Sequence, residues 1–137
     1  MTRSWLAVAA MVASAGCAAT PPAPAPLTEL AGTSWCVVAV DGQPTPANGD
    51  YALRFDSSGG IGARFGCNSM GGRYRLAGDL MTVSNLASTL MGCPEPAMTL
   101  ERKGSEVLGQ PMRTALSSNE RMLLSNAAGS IALEPLP

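Results

Sequence analysis

The residues able to do chemistry in this 137-residue sequence are few, and histidine is not among them. Without it a Ser-His-Asp triad, a Cys-His pair and a His-ligated zinc or haem site are all out of reach. What remains is four cysteines, ten carboxylates, Lys103 and two tyrosines. Cys36, Cys67 and Cys93 contain no C-x-x-C pair, and three thiols without an imidazole make a poor zinc set. They read instead as disulfide material, with the pairings 36–67, 36–93 and 67–93 all open. Asp41, Asp50, Asp56 and Asp79 fall at expected turns, where the side chain bonds local backbone, so a glycosidase-like carboxylate pair is the weaker reading. Gly59-Gly60-Ile61-Gly62 and Gly71-Gly72 lack the Lys-Ser/Thr of a phosphate loop and read as turn and bulge positions. Arg64, Arg73 and Arg75 fall on neighbouring strands. They form either a solvated face or a small basic patch for lipid headgroups or an acidic partner. No catalytic residue, cofactor or metal ligand is assigned, and no enzyme is expected. Nine basic against ten acidic side chains give a net charge of −1, which provides no field for nucleic acid.

The N-terminal segment carries chemistry of another kind. One positive charge at Arg3 precedes the apolar run Trp5–Val12. That run is too short to span a bilayer, which needs about 20 residues, and it fits the apolar region of a signal peptide. Ala13-Ser14-Ala15-Gly16-Cys17 follows and resembles the bacterial lipobox, with Ser14 where leucine is usual. Residues 1–16 are therefore expected to be a signal peptide and Cys17 the lipidation site. The alternative is a cut after Ala13-Ser14-Ala15 that leaves Cys17 a plain thiol. Ala18 is not the aspartate that retains many lipoproteins at the inner membrane, so the expected location is the outer membrane, facing the periplasm. Residues 17–29 hold prolines at 21, 22, 24 and 26. They are expected as a polyproline tether of roughly 30 Å, at about 3.1 Å per residue; a Pro-rich recognition ligand is the alternative.

Residues 30–137 are enough for one domain with a real core. Gly and Pro together make about a fifth of the chain, which favours turns over long helices. Strands are expected at Ser34–Val40, Tyr51–Phe55, Ile61–Phe65, Gly72–Leu76 and Leu80–Val83. On the first, Trp35, Val37 and Ala39 should share one face. On the second, Tyr51, Leu53 and Phe55 should face inward. Asp41-Gly42 opens a turn that Pro44, Pro46 and Asn48-Gly49 prolong. Asn85–Cys93 reads as irregular. An imperfect amphipathic helix is expected over Ala97–Leu108, with proline near its start and Gly109 past its end; Gly104 weakens it by about 1 kcal/mol relative to alanine. Strands at Met112–Leu116, Arg121–Ser125 and Ser130–Glu134 close the chain. Met81, Met91, Met98, Met112 and Met122 are expected as core filler. The fold class is α+β, mainly β: a small curled antiparallel sheet or open barrel of about eight short strands with one helix packed on it.

These features resemble the META/HslJ family of bacterial envelope proteins. Its Leu-x-Gly-Thr-x-Trp entry is matched by Leu30-Ala31-Gly32-Thr33-Ser34-Trp35. Phe65-Gly66-Cys67-Asn68 and Gly72-Arg73-Tyr74 match the next elements. Thr89-Leu90-Met91-Gly92-Cys93 and a helix carrying Glu101 follow, then Met122-Leu123-Leu124 and Ile131-Ala132-Leu133. The resemblance spans about residues 30–135. It implies a small barrel-like fold, an envelope location, and links to stress or antibiotic tolerance, without an established reaction. Cys67 and Cys93 occupy the family's two cysteine positions, so the resemblance implies that they pair. That closure is worth roughly 3 kcal/mol in the chain-entropy account, and it leaves Cys36 a buried free thiol. The function expected is that of a non-enzymatic lipoprotein, monomeric and held at the membrane by its lipid anchor, acting through an envelope protein partner. The alternative is a carrier of a lipid or small apolar ligand in an open barrel.

Overall fold

A computed structural model describes residues 30–136. Nine strands and one helix follow in order: β1 (Thr33–Val40), β2 (Gln43–Pro44), β3 (Tyr51–Phe55), β4 (Gly60–Phe65), β5 (Ser69–Ala77), β6 (Leu80–Ser88), α1 (Ala97–Leu108), β7 (Met112–Leu116), β8 (Met122–Asn126) and β9 (Gly129–Pro135). Every pairing is antiparallel, and β1 pairs with β9 as well as β3. The barrel is thus closed by eight strands, where the sequence left open a curled sheet or an open barrel. Closure removes the free edges that a curled sheet would leave.

β3 and β7 have the bounds read from the sequence, and β4 begins one residue earlier, at Gly60. Tyr51, Leu53 and Phe55 all point inward, as do Met112 and Thr114. Three departures have local causes. Asp41 and Gly42 both take positive φ, 50° and 77°, which makes the two-residue turn a tight hairpin and lets Gln43–Pro44 pair with Val40 and Ala39. Pro44 is tolerated there because β2 is an edge strand. A bulge lies between Val37 and Ala39 opposite β9, so the inward residues of β1 are Trp35, Val37 and Val40 rather than Trp35, Val37 and Ala39. A second bulge interrupts β5–β6 between Gly71 and Arg73, where Asn85 takes φ 54°. It breaks the alternation that sequence reading depends on, and β6 continues to Ser88 through residues expected to be irregular. Its partner β5 starts at Ser69 rather than Gly72.

The core runs through the barrel to the helix. Val37, Val40, Leu53, Phe55, Phe65, Met81, Leu124, Ile131 and Leu133 are fully buried, which leaves no room for a water-sized void against them. Helix α1 contributes Leu100, Val107 and Leu108 and packs on β1, β4, β8 and β9. Gly104 is what allows that approach: a Cβ there would stand 2.6–2.7 Å from three ring carbons of Phe65. The helical propensity lost at this glycine is exchanged for an aromatic ring seated against the helix backbone. Polar side chains serve both helix ends. Glu95 Oε2 accepts the Thr99 N–H at 3.1 Å, and Asn126 Nδ2 donates to the Val107 carbonyl at 2.9 Å. Met81, Met112 and Met122 fill the core as expected, but Met91 and Met98 do not: they are 57% and 37% exposed.

Candidate functional site

The densest polar cluster sits where β4 ends. Gly66 turns the chain at φ 96°, a conformation open to glycine, and a side chain there would collide with the Tyr51 hydroxyl. Cys67 follows and is bonded to Cys93, with Cα atoms 6.1 Å apart. Next comes Asn68, 2% exposed, with both its side-chain atoms and its backbone N–H engaged. Its N–H and Nδ2 each donate to Glu101 of α1 at 2.7 Å, one to either carboxylate oxygen. Nδ2 also donates to the Met91 carbonyl at 3.1 Å, while Oδ1 accepts the Met91 N–H at 2.7 Å and the Thr89 hydroxyl at 3.0 Å. The Thr89 hydroxyl in turn accepts the Ser69 N–H at 3.1 Å. A single buried asparagine therefore straps the 89–93 loop to the barrel wall and to the helix. Hydrogen bonds to a charged acceptor are among the stronger ones, and burial of Asn68 makes losing them costly.

The strap holds up an apolar tip. Leu90 is 94% exposed and Met91 57%, with Met98 exposed on the adjoining first turn of α1. Loop residues this exposed ordinarily have freedom to fold back on the core. Here the main chain at Met91 is bonded on both its N–H and its carbonyl, and Cys93 is covalently fixed two residues later. Asn68 and Glu101 both belong to the quoted family pattern, but nothing in their spacing, 33 residues apart, signals that they meet.

A second region lies on the outer face of β3–β6. Arg54, Arg64, Arg73 and Arg75 all point outward there, and the facing positions between them are Gly60, Gly62 and Gly71. Arg64 approaches Asp50 at 3.9 Å, Arg54 Nε donates to Ser34 Oγ at 3.3 Å, and Arg73 Nη2 donates to the Ser58 carbonyl at 2.8 Å. Arg75 has no side-chain partner among the described residues. A surface cleft of about 420 Å³ opens here, lined by Arg73, Tyr74, Arg75, Thr82 and Ser84.

The remaining candidates resolve into structural roles. Asp41 pairs with Lys103 at 3.2 Å and Asp79 with Arg113 at 2.7 Å, both exposed. Asp56 Oδ1 accepts three hydrogen bonds within its own turn, from the Ser58 N–H, the Ser58 hydroxyl and the Gly60 N–H. Those bonds, led by the Ser58 hydroxyl, hold its carboxyl below the usual carboxylate range. Burial, reinforced by the neighbouring Asp50 charge, pushes the Tyr51 phenol up, so it stays neutral. The four aspartates do not converge. Cys36 is free, but it is half-buried on the outer side of β1 rather than buried. Among the described residues no group of three or more His, Cys, Asp or Glu is placed to hold a metal, and no helix is long and apolar enough to cross a membrane. Cys17, the expected lipidation site, and residues 1–29 lie outside the described residues.

Two structures solved by NMR share this architecture. One is 23% identical with a TM-score of 0.68, over 77% of this chain and 90% of that one. The other, from Burkholderia xenovorans, is 21% identical with a TM-score of 0.63, over 78% of this chain and 83% of that one. At such identities the likeness speaks to fold alone. No curated protein matches the chain. The META domain family model matches residues 28–134, from the strand-entry motif through β9 and including both strapped cysteines. The chain belongs to the META domain family.

Proposed function

We propose that this protein is a non-enzymatic lipoprotein of the cell envelope that acts by binding another envelope protein through the Leu90–Met91 tip. The observation that carries this reading is an exposed apolar tip held by a buried polar network and a disulfide. Ordering a loop costs conformational entropy, and a side chain exposed at 94% recovers none of it by burial within this chain. A pre-formed apolar projection binds with less ordering cost than a loose one. Among the described residues Val37, Leu53, Phe55, Met81 and Leu124 are fully buried in the barrel, and this packing supports partner binding over the alternative of a lipid or apolar ligand carrier. Anchoring would come from acylation of Cys17, with residues 17–29 as the tether and the outer membrane as the site. The accessory role in stress tolerance follows the family resemblance.

Photo-crosslinking in intact cells tests this. A photoreactive residue at position 90 is expected to give one discrete adduct with an envelope protein, lost on Met91→Asp. Position 123, also apolar and exposed on β8, should give none. Equal labelling from both positions, or none from position 90, overturns the reading. In the same cells, Cys17→Ala is expected to release the protein from the membrane fraction.

A further inference from the structure

We propose that the cleft on the β5–β6 hairpin is a binding site for a phosphoryl group, held by Arg73 and Arg75 with the hydroxyls of Thr82 and Ser84. The register places these four as two facing pairs, Arg73 opposite Ser84 and Arg75 opposite Thr82. The arginines are two residues apart on one strand face, so their Cα atoms lie about 6.6 Å apart and their side chains rise from the same side. Each guanidinium is a planar fork of donors that matches an oxyanion, and each hydroxyl can turn its hydrogen toward the same point. No carboxylate lines the cleft.

Orientation is partly built in. The Ser58 carbonyl takes one hydrogen of Arg73 Nη2 and leaves the other donors of that guanidinium uncommitted. Arg75 retains its full set. Asp56, whose charge feels Arg73, makes no salt bridge with it, and its Oδ1 is filled by three donors from its own turn. Two forks and two hydroxyls supply more donors than the two oxygens of a carboxylate can accept. A tetrahedral phosphate monoester, with three non-bridging oxygens, has acceptors enough for all four side chains. That chemistry belongs equally to a lipid headgroup and to a soluble phosphoester. The site shares no residue with the Leu90–Met91 tip, so its failure and the failure of partner binding are separate results.

The test is an NMR titration of the full-length protein in a non-ionic detergent at neutral pH. Sodium phosphate is compared with sodium chloride at matched ionic strength, followed by glycerol 3-phosphate and by phosphatidic acid dispersed in the same micelles. Saturable shifts confined to the amides of Arg73–Arg75 and Thr82–Ser84 are expected with phosphate and not with chloride. Arg75→Gln should weaken the affinity about tenfold. Arg102→Gln, on the exposed face of α1, should leave it unchanged. Tighter binding of phosphatidic acid identifies a headgroup site, and tighter binding of glycerol 3-phosphate a soluble phosphoester site. Shifts that chloride reproduces, or equal weakening by Arg75→Gln and Arg102→Gln, overturn the proposal.

Discussion

The barrel under α1 and the strapped loop beside it are held by opposite means. In the first, Phe65 lies against Gly104, and Leu100, Val107 and Leu108 bury themselves on β1, β4, β8 and β9. Its cohesion is area removed from water, which is strong in sum and tolerant of which apolar residue supplies it. In the second, almost nothing apolar is buried. Leu90 and Met91 face solvent, and the chain is held by Asn68, Thr89, Glu101 and one disulfide. Directional bonds fix a backbone in one place without needing to cover its side chains. The difference gives the Gly66-Cys67-Asn68 and Thr89–Cys93 elements a structural role in this chain. They are the parts of a clamp.

Breaking the apolar side should have the largest effect. Phe65→Ala opens a cavity between barrel and helix at a fully buried position, and it is expected to destabilise the domain by about 3–5 kcal/mol in denaturant unfolding. A loss below about 1 kcal/mol would mean that the helix contributes little to the barrel and that the two are not one core.

The polar side should break more locally. Glu101→Ala leaves the Asn68 N–H without an acceptor in a site that water barely reaches, at an expected cost of about 2–3 kcal/mol. The sharper reading is hydrogen exchange. The Met91 amide, bonded only to Asn68, should lose far more protection than the amide of Leu124 in the barrel wall. Equal loss at both would merge the two regions into one cooperative unit and dissolve the contrast.

How much of this was legible in the sequence follows from the same division. Alternation and amphipathic spacing are signals of burial, and where burial governs, the reading holds: Tyr51–Phe55, Met112–Leu116 and the helix Ala97–Leu108 have the bounds expected. Where a bulge interrupts burial it fails, as at Val38 and at Asn85, because a one-residue slip exchanges the faces of a strand. The family resemblance paired Cys67 with Cys93 correctly. The Asn68–Glu101 contact had no such guide, since two polar residues 33 apart carry no periodicity. Nor does composition separate a methionine in the core, such as Met81, from one on a tip, such as Met91.

The smallest effect tests the turn that leans toward the basic cleft. Asp56 organises Ser58 and Gly60, and Ser58 in turn accepts from Arg73, so this exposed carboxylate bears on both the β3–β4 hairpin and the outer face. Its folded-state pKa lies below the unfolded value of about 3.9, because three hydrogen bonds favour the charged form. The stability it contributes is therefore complete above that unfolded value, and it is lost as pH falls through the folded one. Asp56→Asn keeps the side chain's shape and one acceptor oxygen but removes the charge. The thermal midpoint of the variant should lie slightly below that of the natural protein from pH 5 to 7, with the gap closing below about pH 4 as the natural carboxyl takes up its proton. A gap of the same size at every pH would show that shape, not charge, holds the turn. Arg73 would then be positioned by the backbone of Ser58 alone.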